Sequence, residues 1–170
     1  MQKLLILFLA TLSFEIIAAE QSCMSKYSAY ADAQLLWQNE STALIVETIP
    51  KHRSLANYYR DVQIAAIERR RLAVKLTLQH YTDKINTDAK LNNWINYSPE
   101  LETELSEKSS DFKAAVDAYE KIKNIHPSEN GDEFRKAFRG IVNHTKEFQF
   151  LLSEFNKKVK GLNDLKCKVT

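Results

Sequence analysis

Glycine and proline are scarce in this chain, with three of each among 170 residues. A β-rich or doubly wound fold of this length needs many more turn residues, so the shortage leaves a few long helices joined by short connections. An excess of one charge is also missing. Lysine and arginine total 24 against 22 acids, a formal net charge of +2, so no basic surplus drives binding to nucleic acid or anionic lipid. Apolar content is nonetheless 44%, enough to bury the core of one domain.

Catalytic and cofactor signatures are lacking as well. There is no Gly-x-Ser-x-Gly elbow, and three glycines cannot build a phosphate-cradling loop. No two of His52, His80, His126 and His144 stand three or four residues apart, and none lies at ligand spacing from a cysteine. The Glu-x-x-His pairs of di-iron bundles are absent; His144-x-x-Glu147 has the reverse order and occurs once. Without Cys-x-x-Cys-His, covalent haem attachment is excluded, and Met24 has no histidine near the end of the last helix to complete an axial pair. Glu100 and Glu104 fall on exposed turns, where a solvated face is the ordinary explanation. These absences predict a non-enzyme with no cofactor and no metal.

What is present begins with residues 1–19. Lys3, the apolar run Leu4–Phe14 and Ile17-Ala18-Ala19 have the order of a cleaved secretion signal. The run falls short of the roughly 20 residues that span a bilayer, so no stable membrane insertion is expected. Export to the periplasm, or secretion, follows from this reading. In that setting Cys23 and Cys167 form a disulfide.

The longest regular pattern lies near the end of the chain. Phe134, Phe138, Ile141, Phe148, Leu152, Phe155, Val159 and Leu162 follow steps of three and four, with Thr145 the one polar interruption. This predicts one last helix over 134–162, capped by Asp132. A first helix is expected over Ser22–Thr48, ended by Pro50. A second starts at Arg53 or Ser54, bears two apolar stripes and loosens between Asn86 and Asn93. Trp94, Ile95 and Tyr97 then close one end. Ser98-Pro99-Glu100 starts a third helix, which runs to about Asn124, and Ser128–Gly131 is a loop.

The expected fold is all-α: an antiparallel four-helix bundle of long helices over residues 20–170, closed at one end by Cys23–Cys167. Four antiparallel helices bring both thiols to the same end. A seam this regular is also able to zip two chains together, so homo-oligomerisation is a partner expectation.

With chemistry argued against, the expected role is a protein–protein interaction module: an adaptor, chaperone or inhibitor-type binder. Tyr59 and Phe150 lie off the main seams and are the contacts expected for a partner. The alternative is a small-ligand sensor or carrier using Tyr27, Tyr30, Trp37 and Arg71, with a metal or haem bundle behind it. In Glu68-Arg69-Arg70-Arg71 the side chains fan by about 100° per residue. The stems are therefore expected to pack and the heads to pair with acids of neighbouring helices. Three sequons, at Asn39, Asn96 and Asn143, matter only if the source is eukaryotic, and Pro99 weakens the second.

Overall fold

The computed structural model describes residues 22–125, 127 and 130–169. The expected leader lies outside them, as do His126, Ser128 and Glu129. The described residues form six α-helices rather than the expected four: α1 (Cys23–Thr48), α2 (Arg53–His80), α3 (Pro99–Lys108), α4 (Ser110–Lys123), α5 (Gly131–His144) and α6 (Lys146–Asp164). No β-strand longer than an isolated bridge occurs among them.

Two of the expected helices are each broken once, at a residue that prefers to leave a helix. Ser109 is extended (φ −144°, ψ 115°), and its hydroxyl accepts a hydrogen bond from Phe112 N at 3.2 Å, capping α4. Thr145 is likewise extended (φ −97°, ψ 114°). It ends a run of poor helix formers, Asn143-His144-Thr145, that follows Gly140. The continuous helix expected over 134–162 is thus two helices meeting at a corner, which Gln149 ties by donating its side-chain amide to the Val142 carbonyl. Folding there brings Phe138 onto Phe148 edge-to-face, 5.8 Å between ring centres.

Two caps are also reassigned. Asn130, not Asp132, caps α5, its side chain accepting from the amides of Asp132 and Glu133. Ser54 does not cap α2, because a 3₁₀ turn over Pro50–His52 runs directly into that helix at Arg53. Ser98, by contrast, caps α3 through Leu101 N at 3.3 Å, with Pro99 at the first helical position.

α2 ends at His80, several residues before the expected loosening. The chain then turns back on itself. Ile85 pairs with Ile95 in an antiparallel bridge, and Asn86 N donates to Trp94 O at 2.8 Å. Trp94 plugs this turn at 1% exposure, its indole N–H donating to Ala89 O at 3.1 Å.

The helices pack around a central α1–α2 pair. α4 lies against α2 and α6 against α1, while α4 and α6 hardly approach each other. α1 therefore has neighbours on more than one side and no single polar face. Ala31, Ala33, Ser41 and Thr42 are all buried along it, small side chains that let other helices come close. Two apolar clusters result. One, at the disulfide end, holds Cys23, Tyr27, Val74, Trp94, Leu105 and Phe112. The other, at the corner end, holds Ile45, Leu55, Phe134, Ile141 and Phe148.

Cys23 and Cys167 form the expected disulfide, with Cα atoms 4.8 Å apart and 144 positions of sequence between them. Beside it Ser22 bridges to Lys168, and Cys23 N donates to Lys168 O at 2.9 Å. The buried Lys26 ammonium donates to Leu165 O at 2.5 Å, completing the carbonyl end of α6. Among the described residues no helix is long and apolar enough to cross a membrane.

Candidate interaction surface

Where α6 lies along α1, the two helices leave apolar side chains facing outward. Leu36 of α1 is 49% exposed and Phe150 of α6 is 65% exposed. Between the two helices runs a trough of about 470 Å³, with Ala33, Leu36 and Trp37 on one wall and Leu151, Phe155 and Gly161 on the other. A shallower hollow, lined by Leu44, Phe150 and Leu151 with Lys146 and Glu147 at its edge, continues it past Leu151. Trp37 forms the floor, stacked on Phe155 at 5.4 Å and edge-on to Phe148 at 5.5 Å. Glu40, Glu154, Lys157 and Lys158 rim the trough, and none of the four is in an ion pair with another described residue.

The face exists because α6 carries more apolar side chains than one stripe can bury. Phe148, Leu152, Phe155, Val159 and Leu162 follow the inward helical period. Phe150 and Leu151 fall beside it. That surplus is the signal, readable in the run Phe148–Leu152, by which Leu36, Leu44, Leu151 and Gly161 could have been found from the sequence.

A second cleft, about 280 Å³, opens where α1, α2, α5 and α6 meet. Trp37, Tyr59, Phe134, Phe138 and Phe148 line it, with Gln38, Arg60 and Gln63 at its polar edge. Tyr59, 40% exposed, stacks on Phe134 at 5.6 Å. Tyr59 and Phe150 thus line different hollows, with Trp37 and Phe148 between them.

The proposed ligand residues do not meet in one pocket. Tyr27 is 1% exposed, packed on Trp94 at 5.6 Å and on Tyr30 at 5.7 Å. Burial pushes both phenols above their ordinary pKa. Tyr30 also edges a groove between α1 and α6. Arg71 is occupied, 2.5 Å from Asp32 of α1 and 3.5 Å from Glu68.

The arginine run sends its heads to three different elements. Arg69 bonds Glu102 of α3 at 2.9 Å, with its guanidinium 3.9 Å over the Tyr119 ring and 4.9 Å from that of Tyr97. Tyr97 donates to the same carboxylate at 2.6 Å, and burial, then this bond, raises its pKa. Arg70 donates to the carbonyls of Asn92 and Ile95 at 2.9 and 3.2 Å, holding the turn around Trp94. Arg71 reaches α1. The run is a structural hub between helices.

His52 is buried edge-on against Phe134, while His80 and His144 are exposed. Among the described residues no group of three or more His, Cys, Asp or Glu side chains could hold a metal ion. The asparagines of the three sequons are exposed, but Ser41 is buried and donates back to Trp37 O at 2.6 Å. No protein-family model matches this chain, and comparison with curated proteins and with solved structures finds no match.

Proposed function

We propose that the protein is an exported, non-catalytic interaction module whose docking surface is the α1–α6 face. The observation that carries this reading is the continuous strip from Leu44 and Phe150 to Gly161. It is an apolar floor ringed by charges that have no partner among the described residues. Exposed aliphatic and aromatic side chains gathered along one face cost solubility unless something covers them. A half-buried aromatic with leucines around it and charges at the rim has the anatomy of a binding hot spot. The disulfide fits an oxidising compartment, and with it periplasmic or secreted residence.

The test is cross-linking of the protein in its own host, followed by mass spectrometry of what is joined to it. The Leu36→Ser/Phe150→Ser variant, shown by circular dichroism to keep its helices, is expected to lose the joined species. Its retention by this variant, and by Tyr59→Ser/Phe150→Ser, would overturn the reading.

One observation favours a second reading, a small-ligand carrier. The cleft around Phe134 and Phe138 presents five aromatic rings with glutamines and Arg60 at its edge, the apolar-with-few-polar-groups lining of ligand sites. An environment-sensitive apolar dye would brighten on the wild type and not on Phe138→Ser if this reading is right.

A further inference from the structure

We infer that the cleft where α1, α2, α5 and α6 meet takes an uncharged aromatic molecule of two fused rings with a hydrogen-bonding group on one edge; the inference rests on the small-ligand reading above. The two walls of the cleft differ in chemistry. One is an unbroken arc of rings. Tyr59 stacks on Phe134 at 5.6 Å and Phe134 on Phe138 at 6.1 Å, while Phe148 meets Phe138 edge-on at 5.8 Å and Trp37 at 5.5 Å. All five line the cleft. Such an arc of faces and edges complements a flat aromatic, which packs by offset stacking and edge contacts.

The other wall, from α1 and α2, is polar, and its groups are unspent. Thr42 is only 5% exposed and lines the cleft, yet its hydroxyl makes no hydrogen bond to another described residue. A helical threonine has a ready partner in the carbonyl four residues back. Thr48, Thr77 and Thr103 all use theirs, at 2.7 to 2.9 Å, as does Ser41 beside Thr42 at 2.6 Å. Thr42 does not, and its oxygen is not among the unpartnered side-chain atoms sealed from solvent. It is a buried hydroxyl held open to the cleft, a group that costs stability until something bonds it. Gln38 and Gln63 stand beside it, also without a hydrogen bond to a described residue. A hydroxyl and two carboxamides both donate and accept, so they suit a phenol, a ring N–H or a carbonyl.

Charge and volume narrow the class. Arg60 is the one charged residue in the lining, and Asp61 Oδ1 already accepts from its Nε, with Nη2 also 2.8 Å away. A carboxylate would have to break that pair, and a cation would meet Arg60 with no acid in the lining to hold it. A neutral ligand meets neither obstacle. The cleft encloses about 280 Å³. An apolar cavity of about 150 Å³ admits one benzene, so two fused rings match the space.

The experiment is titration calorimetry of the disulfide-bonded protein at about pH 7 with 2-naphthol, 2-naphthoate and N-methylquinolinium, one two-ring frame in neutral, anionic and cationic form. 2-Naphthol is expected to bind one to one with a Kd on the order of 100 µM, and each ion at least about tenfold more weakly. Thr42→Val keeps the shape of the side chain and removes the hydroxyl. It is expected to weaken 2-naphthol about five- to tenfold while keeping or raising the melting temperature, because that hydroxyl has no partner in the chain to lose. Thr42→Ser, which restores the hydroxyl, should bind within about twofold of the wild type. No binding of 2-naphthol, an ion bound as tightly as the neutral probe, or Thr42→Val binding like the wild type would each overturn the inference. The dye and Phe138→Ser decide the small-ligand reading separately. A dye that brightens on the wild type alone, beside a failure of 2-naphthol or of Thr42→Val, would remove this ligand class and keep the carrier.

Discussion

Opening the Cys23–Cys167 bridge tests how the two ends of the chain are held. The bond spans 144 positions, so in the unfolded state it forbids a very large closed loop. In the chain-entropy treatment a loop of this size corresponds to about 5 kcal/mol at 25 °C. Native domains are stable by about 5–15 kcal/mol in all, so the bond supplies a third or more of the total. For a chain of this length each kcal/mol moves the melting temperature by roughly 2–4 °C, and reduction should lower it by roughly 10–20 °C.

The assay is scanning calorimetry of the wild type with and without reductant, beside Cys23→Ala/Cys167→Ala. The double variant should melt with the reduced wild type and ignore the reductant. Its denaturant slope should also exceed that of the oxidised protein, because the uncrosslinked chain exposes more surface on unfolding. The bridge ends, Lys26 on Leu165 O and Cys23 N on Lys168 O, are contacts of the folded state and remain available after reduction. They leave the unfolded-state term untouched. A fall of less than about 3 °C, with the slope unchanged, would refute the loop-entropy reasoning and assign the ends' stability to those contacts.

The buried phenols predict an alkaline limit. Burial raises the pKa of Tyr27, Tyr30 and Tyr97 above the ordinary phenol value of 10.0, so the stability they contribute is complete below pH 10 and is lost as pH rises through their folded values. Lys26 is shifted down from 10.5, first by burial, so it acts in the opposite sense, with stability rising toward pH 10.5; above pH 10.5 that gain is complete and the phenols' loss continues alone. Phenolate absorbance of the native protein should lag that of the urea-unfolded chain, and superimposed curves would contradict the assignment. Asn163→Ala should cost about 1–3 kcal/mol in urea unfolding, because the Asn163 side-chain oxygen is the acceptor for Leu91 N at 2.9 Å across 72 residues. Faster amide exchange at Leu91 would accompany that loss, and unchanged stability with unchanged exchange would refute it.

The helical class and the disulfide were legible because each rests on composition and position alone. Few turn residues force helices, and the two cysteines, at opposite ends of a chain of antiparallel helices, are brought together and pair. The count of helices was not legible, for a reason that Thr145 makes concrete. A period of three and four steps reports which side chains share a face and is blind to a bend that leaves that face continuous. Phe134, Phe138, Ile141 and Phe148 face one cluster in the folded chain, as the pattern requires, yet they do so across a corner. Ser109 repeats the lesson, because Leu101, Leu105 and Phe112 also reach one cluster from two helices. In both places the signal was a residue with a capping side chain or a low helix propensity, outvoted by an unbroken apolar period.

The organising element also differs from the one the pattern suggests. α5 and α6 have the clearest periodicity because each packs along one side, and α1 has the poorest because it is packed on several. A helix between neighbours must present small or apolar groups around its circumference, which erases the contrast that periodicity measures. Ala31, Ala33, Ser41 and Thr42 are buried on α1 where a surface helix would show charge. The same logic locates the proposed surface. α1 is covered by α2 and α6 over most of its length, and at Leu36 and Leu44 its circumference emerges beside the surplus side chains Phe150 and Leu151. A central helix that stays apolar where its neighbours stop, next to a flanking helix that is apolar beyond its own buried stripe, is what leaves this face uncovered within the chain.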